Sequence, residues 1–239
     1  AAGPPRGRTS VIGVNCSVAP RCRDATAPMF EPKLEILPPA QRLLWAELDA
    51  IPAEFVLCGG TAIALQLGHR QSVDFDFFGS RAFDPVQLYS IVPLLNGSTV
   101  LQQAASTLTC RIERADPVIV SFFGVPTLRR VAAPLIAPDN RLRIASLLDL
   151  AGMKAAVVQQ RAEAKDYVDL HALLEADIGL PAALAAASAI YGERFNPQLT
   201  LKALSFFGDG DLQSLPMSVQ ERIIGAVRSV NLDRLPVLS

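Results

Sequence analysis

Two aspartates separated by one residue, Asp74 and Asp76, are the side chains of this sequence best placed to do chemistry. They lie in the run Val73 to Phe78, which reads as a strand. Side chains alternate faces along a strand, so both carboxylates point the same way, roughly 6.5 Å apart along the strand. Mg²⁺ is commonly held by one or two carboxylates, with substrate phosphates completing its shell. We therefore predict that Asp74 and Asp76 hold Mg²⁺ beside a phosphate group.

A double glycine, Gly59-Gly60, follows the apolar run Phe55 to Cys58, and a short helix is predicted from Thr61. Glycine adopts positive φ and lets backbone N–H groups approach a ligand, and the N-terminus of a helix favours anions. We expect Gly59, Gly60 and Thr61 to surround phosphates. A Gly-Gly turn alone, or an Asp-x-Asp pair alone, is more often a plain turn or a solvated strand face, but their order and spacing here favour a site.

Three segments together resemble the signature of the AbiEii/AbiGii toxin family, within the DNA polymerase β-like nucleotidyltransferase superfamily. They are Gly59-Gly60-Thr61, the turn Gly68-His69-Arg70, and Ser72-Val73-Asp74-Phe75-Asp76. The resemblance implies an α/β (α+β) fold, with a nucleotidyltransferase-like mixed sheet flanked by helices and followed by a helical C-terminal part. It also implies Mg²⁺-dependent transfer of a nucleotide from an NTP, by the toxin of a toxin–antitoxin or phage-defence system.

A second block, Ser146 to Asp169, resembles the downstream helical motif of the same family. On one continuous helix Lys154, Arg161 and Lys165 would fall within roughly 40° of one another. We expect this cationic stripe to face the aspartate pair, with Lys154 as a catalytic residue and Arg161, Lys165 and Asp166 as nucleotide-binding residues.

Structural alternatives exist for the second block. Arg161, Lys165, Asp166 and Asp169 could instead brace the helix against the preceding domain. Asp149 follows Ser146 by three residues, which is the spacing of a capping box at a helix N-terminus.

One position departs from the superfamily pattern, in which a third carboxylate commonly stands on a later strand. The comparable strand here is Val118 to Phe123, and its matching position holds Ser121. Glu113 and Asp116 are nearby substitutes, although Asp116 precedes a proline and reads as a turn residue. The alternative function is therefore a non-catalytic nucleotide- or antitoxin-binding module on the same fold.

A metal-dependent phosphohydrolase is a third reading, and it ranks last. The sequence contains two histidines, His69 and His171, and no His-Asp cluster typical of those enzymes. Each histidine is predicted to be structural.

The acceptor implied by the resemblance is RNA, such as tRNA, or a protein, and a cognate antitoxin is an implied partner. A formal net charge of −1 gives no global affinity for nucleic acid. Any RNA contact would use local patches, for which the candidates are Arg129, Arg130, Arg141 and Arg143.

Half of the 239 residues are hydrophobic, enough for a substantial core. We predict a disordered extension over 1–28, an α/β domain over 29–138 and a helical domain over 139–239. The four cysteines show no metal-ligand spacing and are expected to be reduced. No apolar run reaches the length of a membrane span, which predicts a cytoplasmic protein. The tract Gly208-Asp209-Gly210-Asp211 is predicted to be a turn, because it lacks the later glutamate of a calcium-binding loop.

Overall fold

The structure, a computed structural model, describes residues 28–238. The extension predicted over 1–28 therefore lies outside the described residues, except for Pro28. Strands and helices alternate through the first part, and helices follow one another from Leu147 onward. The division into domains at 138 stays a prediction.

Seven strands form one mixed sheet in the order β3-β4-β5-β2-β1-β7-β6. β1 pairs in parallel with β7, and β2 pairs in parallel with β5, while the other neighbours are antiparallel. The strands are β1 (Phe55–Cys58), β2 (Asp74–Gly79), β3 (Thr99–Ala104), β4 (Thr107–Ile112), β5 (Val118–Gly124), β6 (Leu135–Ile136) and β7 (Arg143–Ile144).

Helices lie before, between and after these strands. They are α1 (Pro39–Trp45), α2 (Gly59–Leu67), α3 (Pro85–Ile91), α4 (Leu147–Val157), α5 (Ala164–Glu175), α6 (Leu180–Tyr191), α7 (Pro197–Ala203) and α8 (Met217–Arg228). Six short 3₁₀ helices connect them, at Leu34–Ile36, Leu48–Ala50, Pro93–Leu95, Gly192–Arg194, Leu212–Ser214 and Leu232–Arg234. The predicted α/β fold with a mixed sheet flanked by helices is confirmed.

The two faces of β2 have different environments, as its alternating sequence requires. Phe75 and Phe77 are fully buried in the core, whereas Asp74, Asp76 and Phe78 point to the opposite face and remain partly or largely exposed. That opposite face of β2 is where the candidate site lies.

Helices α4 and α6 pack closely because small side chains line their contact. A Cβ on Gly152 would lie only 2.8 Å from the backbone nitrogen of Ala187, so glycine allows this approach. Helix α2 contacts β1, β2, α4 and α5, and it therefore links the sheet to the helices that follow it.

Cys58 and Cys110 are buried free thiols, as predicted, and burial raises the pKa of Cys58 to about 12. Cys16 and Cys22 lie outside the described residues. Over residues 28–238, no single helix is long and apolar enough to cross a membrane. The pair formed by Ala164–Glu175 and Leu180–Arg194, bent by 116°, meets that test by length and composition only.

Candidate active site

A cleft of about 520 Å³ opens over the outer face of β2. Its walls come from the start of α2, from β2 with the segment before it, from β5, and from α4 with the loop that follows it. Of the predicted site residues, the cleft is lined by Gly59, Gly60, Thr61, Asp74, Asp76, Lys154, Arg161 and Lys165. The structure therefore brings together residues from Gly59 to Lys165, which lie more than a hundred positions apart in the sequence.

The carboxylates of Asp74 and Asp76 share one wall of this cleft. Burial raises the pKa of Asp76, and the neighbouring charge of Asp74 raises it further, while Lys154 and a hydrogen bond from Ser121 act in the opposite direction. Ser121 lies directly beside Asp76 in the register of β2 and β5, and its hydroxyl accepts a hydrogen bond from Thr109 at 3.3 Å. Ser121 occupies the strand position at which the superfamily commonly has a third carboxylate, and there it donates a hydrogen bond to Asp76.

Gly59 and Gly60 are required for two different reasons. Gly59 has φ +73°, a conformation that favours glycine, and a Cβ there would lie 3.0 Å from Asp76 Oδ2. A Cβ on Gly60 would instead collide with the guanidinium of Arg70 and lie 3.2 Å from Asp169 Oδ2. The first glycine makes room for the carboxylate pair, and the second makes room for an ion pair behind it.

Thr61 has an internal role. Its side chain is only 2% exposed, and its hydroxyl bonds to Ser72 Oγ at 2.7 Å and donates to the backbone carbonyl of Asp74. Thr61 therefore fixes the start of β2, and with it the position of Asp74.

Lys154 is buried and holds two carboxylates. Its Nζ lies 2.6 Å from Asp166 Oδ1 and 2.6 Å from Asp169 Oδ2, and both aspartates are fully buried. Asp166 also accepts from Arg161 Nε at 2.7 Å. Burial alone would raise the pKa of Asp166, but the hydrogen bond from Arg161 and the charge of Lys154 outweigh it and lower that pKa. Asp166 thus affects the cleft indirectly, by positioning Lys154 and Arg161.

Asp169 ties helix α5 to the turn before β2. It accepts from His69 Nε2 at 2.7 Å and from both Nε and Nη2 of Arg70, at 2.6 and 2.9 Å. Burial would raise the pKa of Asp169, but these bonds and the charge of Lys154 hold it well below its usual range. The interpretation of Asp169 as a brace is confirmed. Arg70, which lines the cleft, is a residue that sequence reasoning had not placed in the site.

The expected cationic stripe on one helix is wrong. Helix α4 ends at Val157 and α5 begins at Ala164, so Lys154, Arg161 and Lys165 do not share a helical projection. The break is stabilised from elsewhere in the fold, because Asp211 in the Gly-Asp turn accepts from the backbone N–H of Ala164 at 2.6 Å. Lys154 and Arg161 nevertheless meet, since both bind Asp166.

This cluster, Arg70, Lys154 and Arg161 with Asp166 and Asp169, contains three cations and two anions. One positive charge is therefore in surplus before His69 is counted. Arg161 is 45% exposed and Lys165, paired with Glu163 at 2.9 Å, is 54% exposed, so both heads can reach a ligand in the cleft. We name this group, with Lys165, the cationic wall.

Asp149 lies outside the site chemistry. It is buried, its backbone N–H donates to Ser146 Oγ at the N-cap of α4, and its carboxylate accepts from the Ser146 hydroxyl and from the backbone N–H groups of Val131 and Ala132. Ser146 thus caps the N-terminus of α4, as the spacing predicts, whereas the carboxylate of Asp149 anchors the segment between β5 and β6.

No third carboxylate joins the pair among residues 28–238, where no group of three or more His, Cys, Asp or Glu could hold a metal ion. Glu113 is exposed and paired with Arg111, and Asp116 is exposed. Two carboxylates fit Mg²⁺ when phosphates and water complete its shell. The raised pKa of Asp76 supports this fit, because a bound cation would relieve the repulsion between the two aspartates.

The other end of the cleft is apolar and was missed by sequence reasoning. It is lined by Phe78, Phe123, Leu150 and Met153. Phe78 follows Asp76 by two residues on the same face, and Phe123 follows Ser121 in the same way, so the alternation along the strands could have revealed both.

Comparison with known proteins identifies a related family and related folds. The profile of the family described as "Nucleotidyl transferase AbiEii toxin, Type IV TA system" matches residues 42–230. An uncharacterized protein of Aquifex aeolicus is 36% identical over 125 residues, which are 51% of this chain and 58% of that protein. The matched region thus spans little more than half of that relative.

Two solved structures have a similar fold. One is a candidate nucleotidyltransferase from H. pylori, with a TM-score of 0.52 and 17% identity over 79% of this chain and 92% of that chain. The other is the nucleotidyltransferase toxin MenT4 from Mycobacterium tuberculosis H37Rv, with a TM-score of 0.52 and 16% identity over 80% of this chain and 85% of that chain. At these identities the likeness establishes the fold.

Proposed function

The chain belongs to the AbiEii nucleotidyl transferase toxin family, and from this premise we propose that it transfers a nucleotide from an NTP to RNA, such as a tRNA, or to a protein. Mg²⁺ is the proposed cofactor, held by Asp74 and Asp76. The proposal includes a cognate antitoxin as partner, a role in phage defence and a place in the cytoplasm.

The observation that carries the proposal is the opposition of two charged walls across one cleft. Asp74 and Asp76 present negative charge on the sheet, and the cationic wall presents surplus positive charge from α4, α5, the loop between them and the turn before β2. A triphosphate with bound Mg²⁺ carries charges of both signs and complements this arrangement. Neutral or apolar substrates would leave these charges without partners.

In the proposed reaction an acceptor hydroxyl attacks the α-phosphorus of the NTP. A new oxygen–phosphorus bond forms, the bond between the α-phosphorus and the bridging oxygen breaks, and pyrophosphate leaves. The hydroxyl proton passes to water. Mg²⁺ would neutralise charge on the phosphate oxygens, while Arg161, Lys165 and Arg70 hold the other phosphates. Reactions of this type depend mainly on positioning and electrostatics.

Asp166 and Asp169 are proposed as positioning residues. Each is fully buried and holds the cations of the wall, so their part in nucleotide binding is to fix Lys154, Arg161 and Arg70. The backbone of Gly59 and Gly60, at the start of α2, is proposed to receive phosphate oxygens.

Transfer of label tests this function. The wild-type protein is incubated with Mg²⁺ and each α-labelled NTP in turn, with total RNA and total protein as acceptors. Asp74→Ala and Asp76→Ala should each reduce transfer by at least about 100-fold, the usual loss when a group that stabilises the transition state is removed. A Glu113→Ala/Asp116→Ala control removes two exposed carboxylates outside the cleft and should transfer label as the wild type does.

The non-catalytic alternative is favoured by one observation, the presence of Ser121 where the superfamily commonly has a carboxylate. It predicts that NTP binds to the wild-type protein and that no label moves to any acceptor. That result would overturn the catalytic proposal, and a Ser121→Asp variant that gained activity would identify the reason.

A further inference from the structure

The cleft has a polar end at Asp74 and Asp76 and an apolar end at Phe78, in the order in which these residues occur along the outer face of β2. Asp74, Asp76 and Phe78 succeed one another on that face, at roughly 6.5 Å intervals along the strand. A ligand with its phosphates at the aspartates would therefore extend its next chemical group toward Phe78.

Phe78 and Phe123 form a pair of aromatic rings at the apolar end. They are direct neighbours in the register of β2 and β5, with ring centroids 5.0 Å apart and ring planes inclined by 34°. Both side chains are half-buried and line the cleft. The rings thus form a continuous aromatic surface that a planar group can cover.

The pair on the opposite face of the same strands provides a comparison. Phe77 and Phe122 are also neighbours in this register, and they are stacked with ring centroids 5.3 Å apart, but both are fully buried in the core. The sequence therefore places two aromatic pairs back to back. The inner pair lies entirely within the core, whereas the outer pair keeps part of its surface exposed to the cleft.

Helix α4 provides the opposite wall, and its direction matches the polarity of β2. Arg130 donates to the backbone carbonyl of Phe78, and the next two residues donate backbone N–H groups to Asp149 in the first turn of α4. The start of α4 therefore lies beside the phenylalanine end of the cleft. Leu150 and Met153 line the apolar end, and Lys154 with Arg161 follow toward Asp76.

We propose that Phe78 and Phe123 form a stacking platform for a nucleobase, with Met153 on the facing wall. The inference rests on the proposed function, because it deepens the substrate class of the same cleft. A nucleotide places its base beyond the α-phosphate, which is where the aromatic surface follows the carboxylates. Every base has a π-face, and stacking on aromatic side chains tolerates differences in base identity. The base comes either from the NTP or from the end of a nucleic-acid acceptor.

Binding measurements distinguish the contribution of the base to affinity from the contribution of the phosphates. Calorimetry gives the Kd of wild type, Phe78→Leu and Phe123→Leu for each of the four NTPs and for inorganic triphosphate, with Mg²⁺ present. Leucine keeps an apolar side chain and removes the π-face. Loss of one stack should weaken NTP binding by about fivefold or more, and up to about 150-fold, and leave the binding of inorganic triphosphate unchanged.

Two controls accompany these variants. Phe206→Leu changes an exposed phenylalanine outside the cleft lining and should bind all ligands as wild type does. Phe123→Tyr retains an aromatic ring and should restore most of the affinity that Phe123→Leu loses. Thermal unfolding of each variant establishes that it is folded at the temperature of the assay.

The outcomes show whether the base belongs to the NTP or to the acceptor, and they test the platform separately from the transferase proposal. Weaker NTP binding assigns the platform to the NTP base, whereas unchanged NTP binding with a raised KM for the acceptor assigns it to the acceptor base. Equal losses for NTP and inorganic triphosphate, or no change in either binding or acceptor KM, would overturn the platform. If the phenylalanine variants lose NTP binding but wild type transfers no label, the platform stands and the transferase proposal fails.

Discussion

Asp76 lies in surroundings that oppose its negative charge. Burial and the neighbouring Asp74 raise its pKa, and Lys154 and Ser121 compensate only in part. A group with a raised pKa in the folded state contributes stability below its unfolded pKa, and that contribution is lost as pH rises through the folded value. In the ligand-free protein, ionisation of Asp76 is therefore less favourable than in the unfolded chain, and it lowers the stability of the fold as pH rises.

Replacing the Asp76 carboxylate should make the protein more stable and less active. At neutral pH and without Mg²⁺ or NTP, we expect Asp76→Asn to raise the free energy of unfolding by about 0.5–2 kcal/mol, a common range for relief of a strained functional position. Label transfer should fall by at least about 100-fold. Urea unfolding at pH 7 and pH 3.5 checks the sign, since the gain should shrink at the lower pH. A less stable variant at pH 7 would show that the charge of Asp76 is fully compensated.

Gly60 is required because the Arg70 side chain lies directly over it. We expect Gly60→Ala to lower the free energy of unfolding by about 1–3 kcal/mol, because the added methyl group collides with the Arg70 guanidinium and overpacks the ion pair with Asp169. The control is Gly225→Ala in α8, where a Cβ meets no atom within 4 Å. That exposed helical substitution should stabilise the protein by up to about 1 kcal/mol. Equal effects in urea unfolding would remove the packing explanation.

Helix α5 is attached to the rest of the fold through Asp169. Its carboxylate joins the turn that contains His69 and Arg70 to Lys154 of α4, and it is fully buried. A buried ion cluster is costly to break from one side, because the remaining charges keep their desolvation without their partner. The attachment therefore holds the cationic wall against the sheet.

Asp169→Asn should lower the free energy of unfolding by about 3–5 kcal/mol at pH 7. Glu175→Gln, which removes a surface ion pair with Arg222 at the end of the same helix, should leave it nearly unchanged. Urea unfolding of both variants and wild type makes the comparison. Similar losses in the two variants would contradict the difference in burial.

The same cluster predicts a response to acid. Asp166 and Asp169 have lowered pKa values in the folded state, so the stability they contribute is present above their unfolded pKa, about 3.9, and is lost as pH falls toward the folded values. We expect the free energy of unfolding of wild type to fall steeply below about pH 4. The Asp169→Asn variant should show a shallower fall, measured by urea unfolding from pH 7 to pH 2.5.

The break between α4 and α5 depends on a distant cap. Asp211→Ala removes the acceptor for the Ala164 N–H and should cost about 1 kcal/mol, the usual loss for a helix N-terminal cap. Asp209→Ala, at an exposed position of the same turn, should be nearly neutral. Thermal unfolding with and without a calcium chelator measures both, and a chelator-dependent stability would contradict the turn interpretation.

Much of the whole molecule could be predicted from local patterns. β1, β2 and β5 were expected almost at their observed bounds because they are apolar or alternating runs between turn residues. β3 was missed, since Thr99–Ala104 is exposed along its whole length and carries no core pattern. The short β6 and β7 were missed as well, because β7 joins β1 from a segment that was expected to be helical.

The candidate site was predictable where chemistry is concentrated in a short segment, and less so where it depends on pairing across the chain. The aspartate pair and the glycines lie within 18 residues, and they line the cleft as a group. The pairing of Asp169 with His69 and Arg70 joins positions about a hundred residues apart. Neither helical spacing nor residue type reveals such a contact, and for the same reason the break after Val157 was missed.

The distance between those partners along the chain has a consequence for how the protein is made. Translation proceeds from the N-terminus at about 5–20 residues per second, so Asp169 emerges about 5–20 seconds after His69 and Arg70. During that interval the nascent chain carries its aspartates without the wall that opposes them. A ribosome that stops before Asp169 therefore releases a fragment without a complete site.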